Sequence, residues 1–415
     1  MAFFVNKLKR GIIYHTLFES FTYFFRSFYT KLNDENKILE FENKFAKYNN
    51  QSHSVVFPFA RTAIYYILKH LNLPKGTEVL MSPIGVKGIL DVILELGLIP
   101  KFVELDLDTL SFELKDLNTE IGNQTKVVII TYLFGLVPNM NEITNILKKN
   151  NIFIIEDFSQ CINGKFNEDR VGSCGDVGVY SSSSIKTIDT LGGGLVVTNS
   201  KQLFLDLKTF QNSLGELNRF ILIKKGFINL IRNLALNNLI YNLFTFHFLQ
   251  GLRKLNPELA LKQTGSRKKT RIIKLPNEWF FKFSSMQAEI GLKQIIKCNN
   301  RDKKRIINVN ILKENIGKQK FPLTTSNSYN VYWQLIIYVS DSISAQKFFA
   351  SKGIDVATSS LELLSSLESY PNSKSLKNAE KIYLKGLLIP CYPSLNKKAL
   401  SHISNSVKEY FNFHQ

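Results

Sequence analysis

Tyr180-Ser-Ser-Ser-Ser-Ile-Lys186 lies between the apolar run 176–180 and the glycines Gly192-Gly193-Gly194. Twenty-nine positions before that lysine, Asp157 closes a second apolar run, Ile152-Phe-Ile-Ile-Glu-Asp157. Short, continuous apolar runs of this kind read as strands buried on both faces of a sheet. A carboxylate at the end of one such strand and a lysine after the next, flanked by small hydroxyl residues, is an arrangement that holds pyridoxal phosphate. The lysine amine condenses with the cofactor aldehyde, and the aspartate pairs with the protonated ring nitrogen. An ordinary lysine, with a pKa of about 10.4, is a poor nucleophile at neutral pH. The reading therefore requires Lys186 to be desolvated.

Outward from these two runs, residues 54–199 alternate apolar stretches with amphipathic helical patterns. Strands are expected at 78–82, 101–105, 126–133, 152–157, 178–182 and 195–198, and helices at 62–70, 86–96 and 141–149. Such alternation predicts a mainly parallel sheet covered by helices on both faces. Ligands of such sheets bind at the carboxyl ends of the strands, where Asp157 and Ser181 fall. A cofactor phosphate needs a helix N-terminus and small donors. Phe59-Ala60-Arg61-Thr62-Ala63 opens the first helix of this region and offers amides, the Arg61 guanidinium and the Thr62 hydroxyl. Ser181 and Ser183 supply hydroxyls from the other side. Gln160, one helical turn beyond Asp157, is placed for the ring hydroxyl.

The chain has 415 residues, with 53 Lys/Arg against 34 Asp/Glu and a net charge of +19. A hydrophobic content of 44% with 21% charged residues excludes general disorder. The four cysteines form no CxxC pair and the six histidines no HExxH. A metal site and a disulfide framework are therefore not expected, and a reducing, cytoplasmic setting is. The start Met-Ala-Phe-Phe-Val-Asn-Lys-Leu-Lys-Arg does not have the order of a signal peptide. The aromatic stretch after it contains Glu19 and Arg26 and reads poorly as a spanning helix.

Residues 214–275 break the pattern. They carry twelve Lys/Arg and two acids, Glu216 and Glu258, with apolar residues at helical spacing and a basic cluster, Arg267-Lys-Lys-Thr-Arg271. Two readings stand: a helical insertion packed on the protein or on a second subunit, or an interfacial helix on anionic lipid, acting with the similar N-terminal stretch. Nucleic-acid binding rests on charge alone, with no helix-turn-helix, zinc or aromatic-basic signature, and is not expected. After residue 275 a long amphipathic helix from Ser284 to about residue 312, a strand at 331–339, a helix at 344–352 and Leu387-Leu-Ile-Pro390 suggest a smaller α+β domain. The expected division is 1–50 as an extension, 51–213 as the large domain, 214–275 as the insertion and 276–415 as the small domain.

Taken together, Ala60-Arg-Thr-Ala-Ile, Pro100-Lys-Phe-Val-Glu-Leu-Asp, Ile155-Glu-Asp-Phe-Ser-Gln, Ser181-x4-Lys-Thr and Gln287-Ala-Glu-Ile-Gly-Leu resemble the DegT/StrS-type sugar aminotransferases. The resemblance implies a fold-type-I, pyridoxal-phosphate-dependent α/β transferase that acts as a homodimer on nucleotide-linked keto-sugars. It implies Lys186 as the Schiff-base lysine, Asp157 at the pyridine nitrogen and Gln160 near the ring hydroxyl. Ser181, Arg61 and Thr62 fall at its phosphate. Lysine at 186, where some members carry histidine and act as dehydratases, favours amino transfer, with glutamate as the family's usual donor. Two positions depart from the pattern. Ile84 or Val86 stands where an aromatic ring stacks on the cofactor. Phe280 stands where an asparagine crosses to the neighbouring subunit, leaving Lys282 as a substitute phosphate ligand. The alternative reading is a catalytically impaired scaffold of a polysaccharide pathway, bound at a membrane.

Overall fold

The structure, a computed structural model, describes residues 6–255, 274–367 and 374–413. Helix α1 (Leu17–Arg26) starts in a capping box in which Thr16 accepts from the Glu19 amide at 3.1 Å and Glu19 reaches back to the Thr16 amide at 2.8 Å. Helix α2 (Glu35–Tyr48) leads into the sheet unit: β1 (His53–Phe57), α3 (Ala60–His70), β2 (Glu78–Met81), α4 (Lys87–Glu95), β3 (Ile99–Phe102), β4 (Thr125–Thr131), α5 (Met140–Lys149), β5 (Phe153–Asp157), β6 (Val177–Ser181), β7 (Gly194–Thr198) and α6 (Lys201–Asn212). The seven strands run in the order β1-β7-β6-β5-β4-β2-β3. The five from β6 to β3 are parallel, and β7 is antiparallel to both of its neighbours.

Local sequence explains this order. Val127–Ile130, Ile154–Ile155, Val179 and Val196–Val197 are all buried, so both faces of the central strands need helical cover. Each such side chain contributes about 1.5–3 kcal/mol on leaving water. The expected strands and helices of residues 78–198 all form, with ends shifted by one to three residues. Sequence reading missed β1. It is a short edge strand, and its pairing with β7 (His53↔Thr198) is set far along the chain.

Beyond the sheet come α7 (Arg219–Ala235), a helical lead-in at 238–245 with a π-helical turn at Tyr241–Thr245, α8 (Phe246–Leu255), the 32-residue α9 (Ser285–Ile316), β8 (Leu335–Tyr338), α10 (Ser342–Ser351), β9 (Gly386–Ile389) and α11 (Lys397–Phe413). Strands β8 and β9 pair antiparallel, Leu335 opposite Ile389. The strand expected at 331–339 is shorter than predicted. Val331 and Tyr332 turn away to donate to the Gly135 carbonyl at 2.9 and 3.2 Å, with Tyr332 at φ 47°. That turn lifts Trp333 out of the sheet direction and towards the lysine loop.

The 214–255 part of the insertion packs on protein with one of its faces. Gly226 of α7 lies against the Phe24 backbone of α1, where an added Cβ would meet Phe24 Cα at 3.1 Å. Asn229 and Asn233 donate to Ser20 Oγ at 2.9 and 2.8 Å. At the other end, Asp355 gathers three distant segments. It accepts from Arg10 at 2.7 and 2.8 Å, from Arg253 at 2.5 Å and from the Tyr241 hydroxyl at 3.1 Å. Burial opposes its charge, but the two guanidinium groups hold the Asp355 carboxyl below the usual range. The basic cluster Arg267–Arg271 lies outside the described residues.

Candidate active site

Strands β5 and β6 end side by side, so Asp157 and Ser181 meet at the carboxyl edge of the sheet. Between them stands Ser159, which the sequence reading did not single out. Its amide donates to Asp157 Oδ1 at 3.1 Å and its hydroxyl accepts from the Ser181 amide at 2.8 Å. The loop 181–193 then carries Lys186 back over this edge. Ser182 and Thr190 close it through their hydroxyls at 2.7 Å, and the Ile188 amide donates to the Tyr180 hydroxyl at 2.9 Å. Ile185 at φ 72° and Leu191 at φ 61° are held in the left-handed region, a cost that the cross-links sustain.

The loop is also gripped from outside. Gln287, third residue of α9, completes a capping box with Ser284 and donates its amide nitrogen to the Thr190 and Gly192 carbonyls. Arg301 donates to the Thr187 carbonyl at 2.8 Å, and the buried His15 ring meets the Asp189 carbonyl at 2.9 Å. The Gln287-Ala-Glu-Ile-Gly stretch therefore acts as the clamp on the lysine loop.

Desolvation pushes the Lys186 amine down to about 8, against the opposing pull of Asp157. Burial pushes the Asp157 carboxyl up, while Ser159 and the Lys186 charge favour its ionised form. The two charges act on one another without a direct ion pair within 4.0 Å. A half-buried ammonium and a buried carboxylate are thus coupled through space without touching. Trp333, half-buried, caps the arrangement. The Lys186 ammonium sits 4.0 Å from its ring centroid, and its indole N–H donates to the Ile185 carbonyl at 3.2 Å. As one of only two tryptophans in the chain, Trp333 carried a signal that went unused.

The remaining expected residues are placed unevenly. Ser181 and Ser183 adjoin, with hydroxyls 3.1 Å apart. The start of β7 presses on the start of α3, since a Cβ at Gly194 would lie 2.3 Å from the Phe59 carbonyl carbon and 2.4 Å from the Ala60 nitrogen. Only glycine fits there, and the first amides of α3 point out of the helix beside it. The Thr62 hydroxyl is buried and donates to the Trp279 carbonyl at 2.7 Å, and its amide bonds the Phe59 carbonyl. Arg61 lies between the Phe59 and Trp279 rings, 4.0 and 4.1 Å from their centroids. Gln160 lies in a turn rather than a helix, and its side-chain oxygen accepts from the Phe134 amide at 2.6 Å.

Both departures are now located. Ile84 is fully buried and pairs with Leu363, and Val86 caps α4. Phe280 packs edge-on to Tyr65 and Tyr66 of the same chain, with ring centroids 5.3 and 6.2 Å away. Lys282, placed at a half-exposed position, is bound to the exposed Glu216 at 2.6 Å. Lys225 of α7 comes closer instead: its ammonium lies 5.3 Å from the Phe59 ring and next to Gly192. Burial and the neighbouring Arg61 charge push Lys225 down to about 8, against the pull of Glu278.

A model of the DegT/DnrJ/EryC1/StrS aminotransferase family matches residues 27–220 and 258–408. The chain belongs to this family. The gap in the match, 221–257, coincides with most of α7 and all of α8. GDP-perosamine synthase of Escherichia coli O157:H7 is 32% identical over 169 residues, 41% of this chain and 46% of that one. The chain thus spans about half the length of several of the curated relatives it matches. UDP-4-amino-4,6-dideoxy-N-acetyl-beta-L-altrosamine transaminase of Helicobacter pylori is 22% identical over 400 residues, 92% of each chain. Among solved structures, a Helicobacter pylori aminotransferase involved in the biosynthesis of pseudoaminic acid superposes with a TM-score of 0.72 at 19% identity, covering 98% of this chain and 100% of that one. This last likeness bears on the fold. It is the α/β architecture of pyridoxal-phosphate-dependent sugar aminotransferases, and the desolvated Lys186, the buried Asp157 and the glycine cradle at α3 fit that cofactor.

Proposed function

We propose that the chain is a pyridoxal-phosphate-dependent aminotransferase that moves an amino group, from glutamate, onto a keto-sugar carried by a nucleotide in polysaccharide or glycoconjugate biosynthesis. The observation that carries this reading is the Lys186–Asp157 pair, coupled electrostatically but not joined. When bound, the cofactor supplies an aldehyde that accepts amines and a ring that accepts electrons. Lys186 holds it, then takes and returns a proton at Nζ. An amine near pKa 8 is unprotonated in roughly one molecule in ten at pH 7, against fewer than one in a thousand for an ordinary lysine. Asp157 keeps a protonated nitrogen charged from beneath. Trp333 fixes the lysine's position and shields it from water.

Ser181, Ser183 and the first amides of α3 are assigned to the phosphate, with Arg61 and Lys225 supplying positive charge behind them. Gln160, fixed through its oxygen by Phe134, keeps its amide nitrogen as a donor to the ring hydroxyl. A homodimer is part of this proposal, as is the fourfold division of the chain at about residues 50, 213 and 275. So is a peripheral contact with anionic membrane through 214–275; no helix of the described residues is long and apolar enough to cross a membrane.

The direct test is borohydride reduction of the loaded protein followed by peptide mass analysis, beside a Lys186→Ala variant. The cofactor mass is expected on the peptide of Lys186 alone. A variant that keeps a reducible cofactor link overturns the assignment. Turnover of glutamate with a panel of nucleotide keto-sugars then identifies the acceptor.

A further inference from the structure

Among the described residues, fifteen of the twenty-five exposed large apolar side chains lie on α1, the turn after it, α7 and residues 239–255. They follow helical spacing. On α1 they are Phe18, Phe21 and Phe25, three and four residues apart, with Phe18 80% exposed. On α7, Phe220, Phe227 and Ile231 repeat at seven and four, with Phe220 77% exposed. The two stripes join, because Phe24 contacts Phe25, Phe28 and Phe227 with ring centroids 5.2–5.7 Å apart. The following segment carries the same pattern in Phe244, Phe248, Leu252 and Leu255. Soluble monomers rarely expose contiguous apolar surface on this scale without a partner.

The charge on these elements selects the partner. Residues 217–255 contain six Lys/Arg and no Asp or Glu. A two-fold contact with a second copy through α7 and residues 239–255 would set like charges against one another, with no acid in 217–255 to relieve them and Glu19 of α1 already bound to Lys297. Beside the stripe of α8, a cavity of about 400 Å³ opens between α8 and α10, lined by Gln250, Arg253, Lys254, Gln346, Lys347 and Ser351 among others. Of its lining residues, Gln250, Arg253 and Gln346 each hold one enclosed N–H without a hydrogen-bond partner, and no acid lines the cavity among the described residues. Unpaired N–H groups and two lysines at the edge of an apolar face match a phosphate group that arrives attached to lipid.

We propose that α1, α7 and residues 239–255 form one docking face for an anionic phospholipid surface, with the cavity between α8 and α10 taking a headgroup phosphate. This extends the peripheral contact proposed above to a joint face with the N-terminal helix, and it does not depend on the aminotransferase reading. Helix α7 would then have the bilayer on one side and, through Lys225, the Phe59–Gly192 corner of the cofactor cleft on the other.

The test is co-sedimentation of cofactor-loaded full chain with vesicles of phosphatidylcholine alone or mixed with phosphatidylglycerol. Comparison is with a Phe18→Ser/Phe220→Ser/Phe244→Ser variant and a Lys254→Glu/Lys347→Glu variant, all exposed positions. Cofactor absorbance reports that each variant is folded, so loss of amino transfer alone would not register here. The expected result is binding to the mixed vesicles, lowered roughly tenfold or more by the apolar triple change. The charge reversal should weaken binding to mixed vesicles and not to neutral ones. Equal sedimentation of the triple variant overturns the proposal. So does a triple variant that dissociates an oligomer while vesicle binding persists, which would make the face a contact between copies. Calorimetric binding of inorganic phosphate or glycerol phosphate with no vesicle binding would overturn it in favour of a soluble anion.

Discussion

The lysine loop and the helices of residues 219–255 are both held against the same α/β core, and they are held differently. In the loop, hydroxyls, carbonyls and amides pair inward, and Gln287, Arg301 and His15 add clamps from outside. Little is left over except the Lys186 amine. The helices are fixed along one side by a few polar contacts, Asn229, Asn233 and the Asp355 cluster, and leave the other side apolar and open. The loop is organised around one reactive atom, the helices around an area. Catalysis needs the first kind of order and surface attachment the second.

Changes in the loop should break this contrast most severely. Lys186→Ala removes the nucleophile and the proton carrier together, and the glutamate half-reaction should fall by at least about a thousandfold, read from cofactor absorbance in single turnover. A fall of less than about tenfold would place the chemistry elsewhere. On the other side of the comparison, Asp355→Asn strips the shared carboxylate from Arg10 and Arg253. Breaking a buried pair from one side costs about 3–5 kcal/mol, so thermal unfolding should move down markedly with the chemistry intact in the folded fraction. The Asp355 contribution also has a pH signature. Its folded value lies below the ordinary carboxyl range, so the stabilisation is complete above about pH 4 and fades as pH falls through the lowered folded value. The Asn variant should lack that acid-dependent step.

Asp157→Asn keeps the shape and removes the charge. Activity should drop by about a hundredfold, as for loss of one preorganised electrostatic partner, with stability nearly unchanged. A milder probe is pH. If desolvation holds Lys186 near 8, capture of added pyridoxal phosphate by cofactor-free protein should speed up about tenfold per unit below pH 8 and level off above it. Acceleration continuing towards pH 10 would show an ordinary, hydrated lysine. The smallest effect is expected from Asn229→Ala, which loses one buried hydrogen bond to Ser20. About 1 kcal/mol of stability should go, and a larger loss would mean that α1 and α7 are held by polar contacts more than by packing.

The two regions also differ in how far they could be read beforehand. Lys186, Asp157, Ser181 and the parallel strands are written in local runs whose period and neighbours specify them. Trp333 and Lys225 are not, because each reaches the site through a turn or a helix contact fixed at long range, and the role of the nearby Ser159 shows only once β5 and β6 lie side by side. The contacts of Thr62 with Trp279 and of Lys282 with Glu216 were hidden for the same reason, since neither partner lies near in sequence. For 214–275 the spacing showed an apolar stripe and a basic face. It could not show that α1 covers one side of α7 and leaves the other bare.

Asp355 ties residues near the start of the chain to others two-thirds of the way along and to itself further on. During synthesis the anchor emerges long after the segments it secures. Until then Arg10 and Arg253 lack this counter-charge, and residues 241–255 lack the tie that Asp355 provides. The helices of residues 219–255 are thus complete about a hundred residues before Asp355 is made, and any factor that shields such surfaces at the ribosome exit has that window in which to act.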